Sequence, residues 1–388
     1  MALLEMLLWL AVAVVLYAYV GYGLAIALIA RFVKNPVRHT DALPKVTLLV
    51  AAYNEEGVIA EKLENSFALD YPRELLEIMV VADGSSDGTC DVVRQYADRG
   101  VRLEYQPERR GKIHAVNRTV PVASGEVIVF SDANSMFTPE SIKMLVRNFA
   151  DANVALVAGE KRIMGDDGTV ADGEGLYWRY ESLLKRLDSQ VSSVMGAAGE
   201  IFAIRKEHWK PVDADSIIED FIVSMGLVRD GYRVIYEPQA VSLEEASPNV
   251  AEEFKRKTRI VAGGWQAVVR LWPLLTPKYG LVAFQYVSHR VLRWTVVPFL
   301  LPLILLLNAA LLAQPAYQAL FGLQLAFYGL AGVGFHLERQ GKSWKPAYLP
   351  FFFAFLNYAA LCGAWKYFTK TQAVTWDKVK RPARPSQA

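Results

Sequence analysis

The chain lacks the features that mark several common classes of protein. Only two of its 388 residues are cysteines, Cys90 and Cys362, so neither a disulfide framework nor a cysteine zinc site is indicated. Lys and Arg total 42 against 40 Asp and Glu, a balance that gives no reason to expect a nucleic-acid partner. No G-x-G-x-x-G follows the first apolar strand and no G-x-x-x-x-G-K-[ST] occurs, so dinucleotide-binding and P-loop folds lose their main support.

What the chain does have is long apolar runs. Its hydrophobic fraction is 53% and its mean hydropathy is positive. Residues 3–30 are apolar apart from Glu5, and about 20 such residues suffice to cross a bilayer. Residues 294–313, 316–335 and 347–368 are of similar character. We therefore expect one N-terminal transmembrane helix within residues 1–30 and three more within residues 294–368.

Flanking charges give a topology for the first span but not for the tail. Arg31, Lys34 and Arg38 follow the first span, so the positive-inside rule places the next domain in the cytoplasm. Counting crossings then leaves the tail, residues 369–388, outside. The same rule would keep that tail inside because of its basic residues, which are Lys370, Lys378, Lys380, Arg381 and Arg384. A re-entrant third run would remove the disagreement.

Residues 44–245 alternate strand and helix signals. Apolar strands are expected at 46–52, 78–83, 101–105 and 126–130, each followed by a helical segment. Such alternation predicts an α/β domain with a parallel sheet covered on both faces.

Three of these strands end in polar loops, which contain Tyr53 and Glu55, Asp83, and Asp132 with Asn134. In open α/β sheets the ligand lies in the crevice at the carboxyl ends of the strands. Oxygen ligands such as Asp132 and Asn134 suit Mg²⁺ or Mn²⁺ bridging to phosphates, although they could instead cap the next helix.

Two further segments carry charges of interest. The run 109–112, Arg-Arg-Gly-Lys, begins a helix and would attract phosphate, or it is an ordinary solvated surface. Glu219 and Asp220 open another helix, where either carboxylate could simply complement the helix dipole.

Residues 250–290 are expected to form amphipathic interfacial helices. An aromatic and aliphatic stripe recurs at helical spacing, with most of the charges off it; its members are Phe254, Val261, Trp265, Val268 and Trp272. This pattern is typical of a helix on a membrane surface. The alternative is a helix packed on its own domain.

Together these segments resemble the membrane-bound family 2 glycosyltransferases, which include cellulose, chitin and hyaluronan synthases. The resemblance covers nearly the whole chain. It implies a Rossmann-like GT-A domain that binds a nucleotide-sugar, and Mg²⁺ or Mn²⁺ as cofactor. The implied donor-binding residues are Tyr53, Glu55, Asp83, Lys112, Asp132 and Arg256.

The resemblance also implies catalytic and acceptor residues. Asp132 would open the D-x-D metal motif, whose third position is Asn134 here. Asp220 would be the catalytic base of an Ile-Glu-Asp motif that includes Glu219. The segment 196–200 would lie beside the acceptor through Gly199 and Glu200.

One motif departs from the family pattern. Where processive synthases have Q-x-x-R-W, this chain has Arg256-Lys257-Thr258-Arg259-Ile260. Arg259 is kept and would help neutralise the leaving diphosphate. The Gln and Trp are replaced, and Trp265 lies further on, where it would contact the acceptor. Polymer extension is therefore less well supported than sugar transfer.

The implied activity is inverting hexosyl transfer from a nucleotide-sugar, with a UDP-sugar expected, to a glycan acceptor at the inner face of a bacterial plasma membrane. Processive polysaccharide synthesis and single transfer to a lipid or lipid-phosphate both remain open. A second copy of the chain or an export partner would be needed to complete a polymer channel. A non-enzymatic sugar-nucleotide receptor is the remaining alternative, and nucleic acid is not an expected partner.

Overall fold

The computed structural model describes residues 1–164, 169–245, 247–342 and 344–375. Most of the basic tail, from Lys378 onward, lies outside them. The chain divides into two units. Of the described residues, the sheet unit contains 34–164, 188–245 and 373–375. The helical unit contains 1–33, 169–187, 247–342 and 344–372.

The sheet unit is built on eight strands in the order β3-β2-β1-β4-β7-β6-β8-β5. The strands are β1 (Val46–Ala52), β2 (Leu76–Asp83), β3 (Val101–Gln106), β4 (Val127–Asp132), β5 (Met136–Phe137), β6 (Val154–Met164), β7 (Ile201–Arg205) and β8 (Arg233–Glu245).

The first four strands of that order are parallel, as the sequence predicts. β1 pairs with β2 and with β4, and β2 pairs with β3. Because this part of the sheet is covered on both faces, β1, β2 and β4 are almost wholly buried, which explains their unbroken apolar sequences. The register places Ala51 opposite Asp132 and Ala52 opposite Ala82, so the three polar loops begin at one edge of the sheet.

The rest of the sheet is mixed, which differs from the parallel sheet expected. β7 runs antiparallel to β4 and to β6, β8 is parallel to β6, and β5 is antiparallel to β8. Ile201 at the start of β7 pairs with Ser131 near the end of β4. An antiparallel strand therefore brings its amino end, preceded by Gly199 and Glu200, to the edge where the parallel strands finish.

Helices cover both faces of this sheet. They are α3 (Glu56–Phe67), α4 (Thr89–Arg94), α5 (Lys112–Thr119), α6 (Ser141–Val146) and α8 (Glu219–Arg229), with short 3₁₀ turns at Arg73–Leu75, Ala97–Arg99, Val120–Val122, Arg147–Ala150 and Lys206–His208. Side chains such as Val50, Val80 and Val129 from the strands pack with Leu63 of α3 and Ile142 of α6 in one core.

The helical unit contains the remaining helices. They are α1 (Ala2–Leu16), α2 (Tyr22–Phe32), α7 (Thr169–Val191, whose last residues belong to the sheet unit), α9 (Val250–Arg270), α10 (Leu281–Tyr286), α11 (Val297–Ala310), α12 (Pro315–Glu338) and α13 (Lys345–Phe368). π-helical segments Tyr17–Gly21 and Val287–Val296 join α1 to α2 and α10 to α11, and 3₁₀ turns occur at Trp272–Leu275 and Pro277–Tyr279.

Four helices of the described chain are long and apolar enough to cross a membrane: Ala2–Phe32, Leu281–Ala310, Pro315–Glu338 and Lys345–Phe368. The second begins 13 residues earlier than the span expected at residue 294, inside the region expected to be interfacial. Its added first part contains the polar residues His289, Arg290 and Arg293. The two arginines form ion pairs with buried Glu181 of α7, and His289 lies 3.3 Å from the same carboxylate.

The apolar stripe of α9 packs within the helical unit. Phe254 stacks on Tyr358 of α13, with ring centroids 5.5 Å apart. A Cβ added at Gly363 of α13 would lie 2.7 Å from the Thr258 carbonyl oxygen, so glycine is what lets the two helices approach this closely. Trp272, just beyond α9, is 62% exposed.

Candidate active site

Asp83 at the end of β2 organises the loop that precedes α5. Its carboxylate is 5% exposed and accepts hydrogen bonds from the backbone N–H of Arg110 (3.1 Å) and of Gly111 (2.6 Å). Gly111 has φ 97°, a left-handed conformation that disfavours a side chain. Asp83 therefore fixes the backbone immediately before Lys112.

The loop after β1 lies beside this one. The guanidinium carbon of Arg109 stands 3.9 Å from the centroid of the Tyr53 ring. The N–H of Glu55 donates to Thr89 Oγ1 (2.8 Å), which ties the first loop to the start of α4. Tyr53 and Arg109 thus form a flat cationic and aromatic surface at the edge of the sheet, suited to stacking against a planar ring.

Lys112, the first residue of α5, joins two carboxylates from different elements. Its Nζ lies 2.6 Å from Oδ1 of Asp132 at the end of β4 and 3.3 Å from Oε1 of Glu219 at the start of α8. Burial lowers the pKa of an ammonium, but Asp132 and Glu219 outweigh that effect and raise the pKa of Lys112. Lys112 stays charged at neutral pH, a fixed cation in a crevice rich in acidic groups.

Asp220, the second residue of α8, faces the loop before β7. A Cβ added at Gly199 would lie 3.3 Å from its Oδ2, so the backbone of that loop runs close past the carboxylate. Ser224 holds the arrangement, because its hydroxyl donates to the Asp220 carbonyl (2.8 Å) and accepts from the N–H of Ala197 (3.0 Å).

The surroundings of Asp220 make it a base suited to neutral pH. Burial, and then the nearby carboxylates of Glu219 and Glu200, raise its pKa to about 7, while Lys112 acts in the opposite direction. A general base works best when its pKa lies near the working pH. The carboxylate could therefore take a proton from a hydroxyl bound at the 199–200 loop.

The sequence of the crevice matches a known family. The family model described as Glycosyltransferase like family 2 matches residues 44–263, more than half of the chain. The chain is a family 2 glycosyltransferase. This confirms the family predicted from the sequence and makes the chain an enzyme.

The curated relatives of this glycosyltransferase include polysaccharide synthases. It is 28% identical over 249 residues to the poly-beta-1,6-N-acetyl-D-glucosamine synthase of Staphylococcus aureus (strain MSSA476), covering 61% of this chain and 58% of that protein. The synthase of the same name from Staphylococcus epidermidis is 26% identical over 260 residues, covering 64% of this chain and 62% of that one. The chain thus spans less than two thirds of the length of these relatives.

A solved structure establishes the fold class of the glycosyltransferase. The mannosyltransferase PcManGT from Pyrobaculum calidifontis, determined in complex with GDP-Man and Mn²⁺, has a TM-score of 0.73 at 23% identity. The match covers 94% of this chain and 100% of that one. The predicted GT-A fold is therefore confirmed.

The acidic groups of the crevice could hold a metal ion only if the substrate supplied some of its ligands. Within the residues that the structure describes, no three Asp, Glu, His or Cys side chains gather as a ready-made metal site. Asp132 offers one carboxylate, of which one oxygen is paired with Lys112, and Asn134 follows two residues later. Mg²⁺ is commonly held by one or two protein oxygens together with substrate phosphates, and this set has that character.

The remaining predicted residues lie in the helical unit, on α9. Arg256 forms a bidentate ion pair with Glu253, at 2.8 and 2.9 Å. Trp265 packs against Phe299 and Phe368, with ring centroids 6.4 and 4.9 Å away. Arg259 lies one turn after Arg256 on the same helix.

Sequence reasoning missed a buried polar network next to the crevice, made of Lys62, Ser135, Lys161 and Glu244. For Lys62 a signal was present, because it falls between Ile59 and Leu63 on the core face of α3. A charged residue at a core position is rare unless it is paired, so Lys62 required a partner. Lys161 gave no such signal, since it stands in the charged run Glu160-Lys161-Arg162 of β6.

Proposed function

We propose that this glycosyltransferase transfers a sugar with inversion from a nucleotide-sugar, for which we take a UDP-sugar, to a hydroxyl of a glycan acceptor. This proposal rests mainly on the position of Asp220. Its carboxylate has a raised pKa and lies against the backbone of Gly199, near the cluster formed by Lys112, Asp132 and Glu219. The carboxylate of Asp220 can then act as base on the attacking hydroxyl, while the ammonium of Lys112 stabilises the leaving diphosphate.

In this proposal each residue has one role. Asp220 accepts the proton of the acceptor hydroxyl as its oxygen attacks the anomeric carbon. Lys112 supplies positive charge next to the departing diphosphate, and Tyr53 with Arg109 stacks on the base of the donor. Asp132 and Asn134 would hold Mg²⁺ or Mn²⁺, which when bound neutralises charge on the diphosphate.

Glu219 is assigned a supporting role. Neighbouring helical residues point about 100° apart, so Glu219 and Asp220 do not address one hydroxyl together. Glu219 lies against Lys112 instead, 3.3 Å away, where it holds that lysine in place.

The names of the curated relatives favour an N-acetylhexosamine donor and a glycan acceptor. We place the sheet unit on the cytoplasmic side of a bacterial plasma membrane, since Arg31, Lys34 and Arg38 follow the first apolar helix. Four candidate spans are few for a channel, so polymer export would need a second copy or a partner protein.

Single transfer to a lipid or lipid-phosphate acceptor is the second candidate. It is favoured by one observation. Arg256 replaces the Gln of the processive motif and forms an ion pair with Glu253, and Ile260 replaces the Trp.

The test uses the purified full-length chain with a panel of UDP- and GDP-sugars, with Mg²⁺ or Mn²⁺, and with glycan or lipid-phosphate acceptors. Release of the nucleoside diphosphate identifies the donor, and mass spectrometry of the products separates polymer from single transfer. We expect transfer that Asp220→Asn abolishes and Glu219→Gln only reduces. Undiminished transfer by Asp220→Asn would refute the assigned base.

A further inference from the structure

The network of buried polar contacts next to the crevice crosses part of the sheet unit. Lys62 Nζ donates to the carbonyl oxygen of Ser135, and the Ser135 hydroxyl donates to one carboxylate oxygen of Glu244. The other oxygen of Glu244 lies 2.5 Å from Lys161 Nζ, which lies 2.8 Å from Oε1 of Glu200. The network therefore extends from the turn after Asp132 to the loop beside Asp220.

The two ends of this network lie beside the two groups of residues that the proposed reaction uses. Ser135 closes the turn that contains Asp132 and Asn134, because its N–H donates to the Asp132 carbonyl (3.2 Å). Glu200 follows Gly199, whose backbone passes close to Asp220. Among the contacts of the described residues, Lys161 is the only member that contacts both Glu200 of the acceptor loop (residues 196–200) and Glu244, which is hydrogen-bonded to the metal-side turn (residues 132–135).

Because these side chains are buried, the contacts between them are costly to break. The side chains of Lys161 and Glu244 are 5% and 7% exposed, and that of Glu200 is 17% exposed. Ionised groups with so little water must keep their partners, since a buried charge without one is strongly unfavourable. The ammonium of Lys161 contacts both Glu244 and Glu200, so its removal would take this partner from two poorly exposed carboxylates.

We propose that Lys161 is a positioning residue that couples the acceptor loop (residues 196–200) to the metal-side turn (residues 132–135). In this role it contacts neither donor nor acceptor directly. It acts through Glu200 on the loop facing Asp220, and through Glu244 and Ser135 on the turn carrying Asp132. The catalytic part of this inference rests on the proposed function, whereas the coupling itself is a property of the fold.

The coupling is tested by amide hydrogen exchange on the full-length protein in detergent, without any substrate. The informative amides are hydrogen-bonded ones. They are those of Ser135 in the turn and Phe137 just after it, and those of Ala197 in the loop and Ile201 just after it. We expect Lys161→Met to speed exchange at both sets by about tenfold or more, as loss of a charged buried hydrogen bond implies. Lys161→Arg keeps the charge and should restore most of the protection.

Two further variants separate coupling from general loss of stability. Ser135→Ala cuts the network at one end, so exchange should rise in the turn and not in the loop. Arg147→Met is the matched control, because it breaks another ion pair of β8, between part-buried Arg147 and buried Glu237 at 2.8 Å. Glu237 and Glu244 are seven residues apart on that strand, roughly 23 Å. Arg147→Met should lower Tm without speeding exchange at either set.

If Lys161→Met fails to fold, the double variant Lys161→Met/Glu244→Gln removes one charge of each sign and takes its place. The coupling is overturned if exchange in the tested variant, Lys161→Met or the double variant, is no faster than in Arg147→Met. It is also overturned if exchange becomes faster at only one of the two sets of amides.

Transfer assays then test the catalytic part. At saturating donor we expect Lys161→Met to lower kcat by about tenfold or more with a small change in the donor KM, and Lys161→Arg to recover it. A normal kcat in Lys161→Met with raised exchange would remove the positioning role. Absence of transfer by the wild type would instead fault the proposed function and leave the exchange result standing.

Discussion

The raised pKa of Asp220 predicts how the rate of transfer depends on pH. A pKa of about 7, against an ordinary 3.8, leaves about a tenth of the carboxylate ionised at pH 6 and about nine tenths at pH 8. Because only the ionised form can accept a proton, the single-turnover rate should rise about tenfold between these pH values. A carboxylate at its ordinary pKa would give almost no change.

Glu200 supplies the internal control for this prediction. It is one of the two carboxylates that raise the pKa of Asp220, and Lys112 is the cation that opposes them. Glu200→Gln removes a like charge, so the acidic limb of the rate profile should move to lower pH. The assay is rapid-quench transfer with saturating donor from pH 5.5 to 8.5, comparing wild type, Glu200→Gln and Glu219→Gln. A flat wild-type profile, or a limb unmoved in Glu200→Gln, would refute the reasoning.

The same pKa has a consequence for stability. The folded state holds the proton of Asp220 more tightly than the unfolded state, so this group's contribution is complete below about pH 4 and is lost as the pH rises through about 7. Asp220→Asn removes that loss. Its Tm should exceed that of the wild type at pH 8, with a smaller difference at pH 5, while transfer is abolished.

Three other predictions follow from the geometry. Asp132→Ala should abolish transfer and weaken Mn²⁺-dependent binding of the nucleoside diphosphate, measured by calorimetry, and full activity in excess chelator would contradict the metal assignment. Gly363→Ala should destabilise the packing of α13 on α9 by about 1–3 kcal/mol in thermal unfolding, whereas Gly332→Ala, with open space around it, should be neutral. In single-tryptophan variants a lipid-borne quencher should dim the exposed Trp272 more than the packed Trp265, and equal water-like emission at both would contradict that difference.

The part of the site that follows parallel strands could be predicted from the sequence. An apolar run ending at Asp83 or Asp132 signals a buried strand whose carboxyl end meets the ligand edge, and β1, β2 and β4 show that pattern in the structure. The start of α8 at Glu219 was likewise marked by two acidic residues before an apolar helix.

The remainder depended on pairings between distant residues. β7 enters the sheet antiparallel between β4 and β6, and nothing in its five residues specifies that direction. Asp83 contacts the amides of residues 27 and 28 positions later, so its role in shaping a loop could not be inferred from its own neighbours. Lys161 is only one charge in the run Glu160-Lys161-Arg162, and its partners Glu200 and Glu244 come from two other strands or their flanks.

The position of α7 in the chain limits how this enzyme could be taken apart or recombined. The helix is inserted between β6 and β7, yet Trp178, Tyr180 and Glu181 make their contacts with Lys257, with Tyr19 and with the basic residues of the second candidate span. A fragment limited to residues 34–245 would carry that helix without any of those partners, exposing a buried carboxylate and aromatic rings. An exchange of catalytic cores between membrane anchors would for the same reason fail as a simple cassette swap, because the contact residues of α7 would have to be inherited with the anchor.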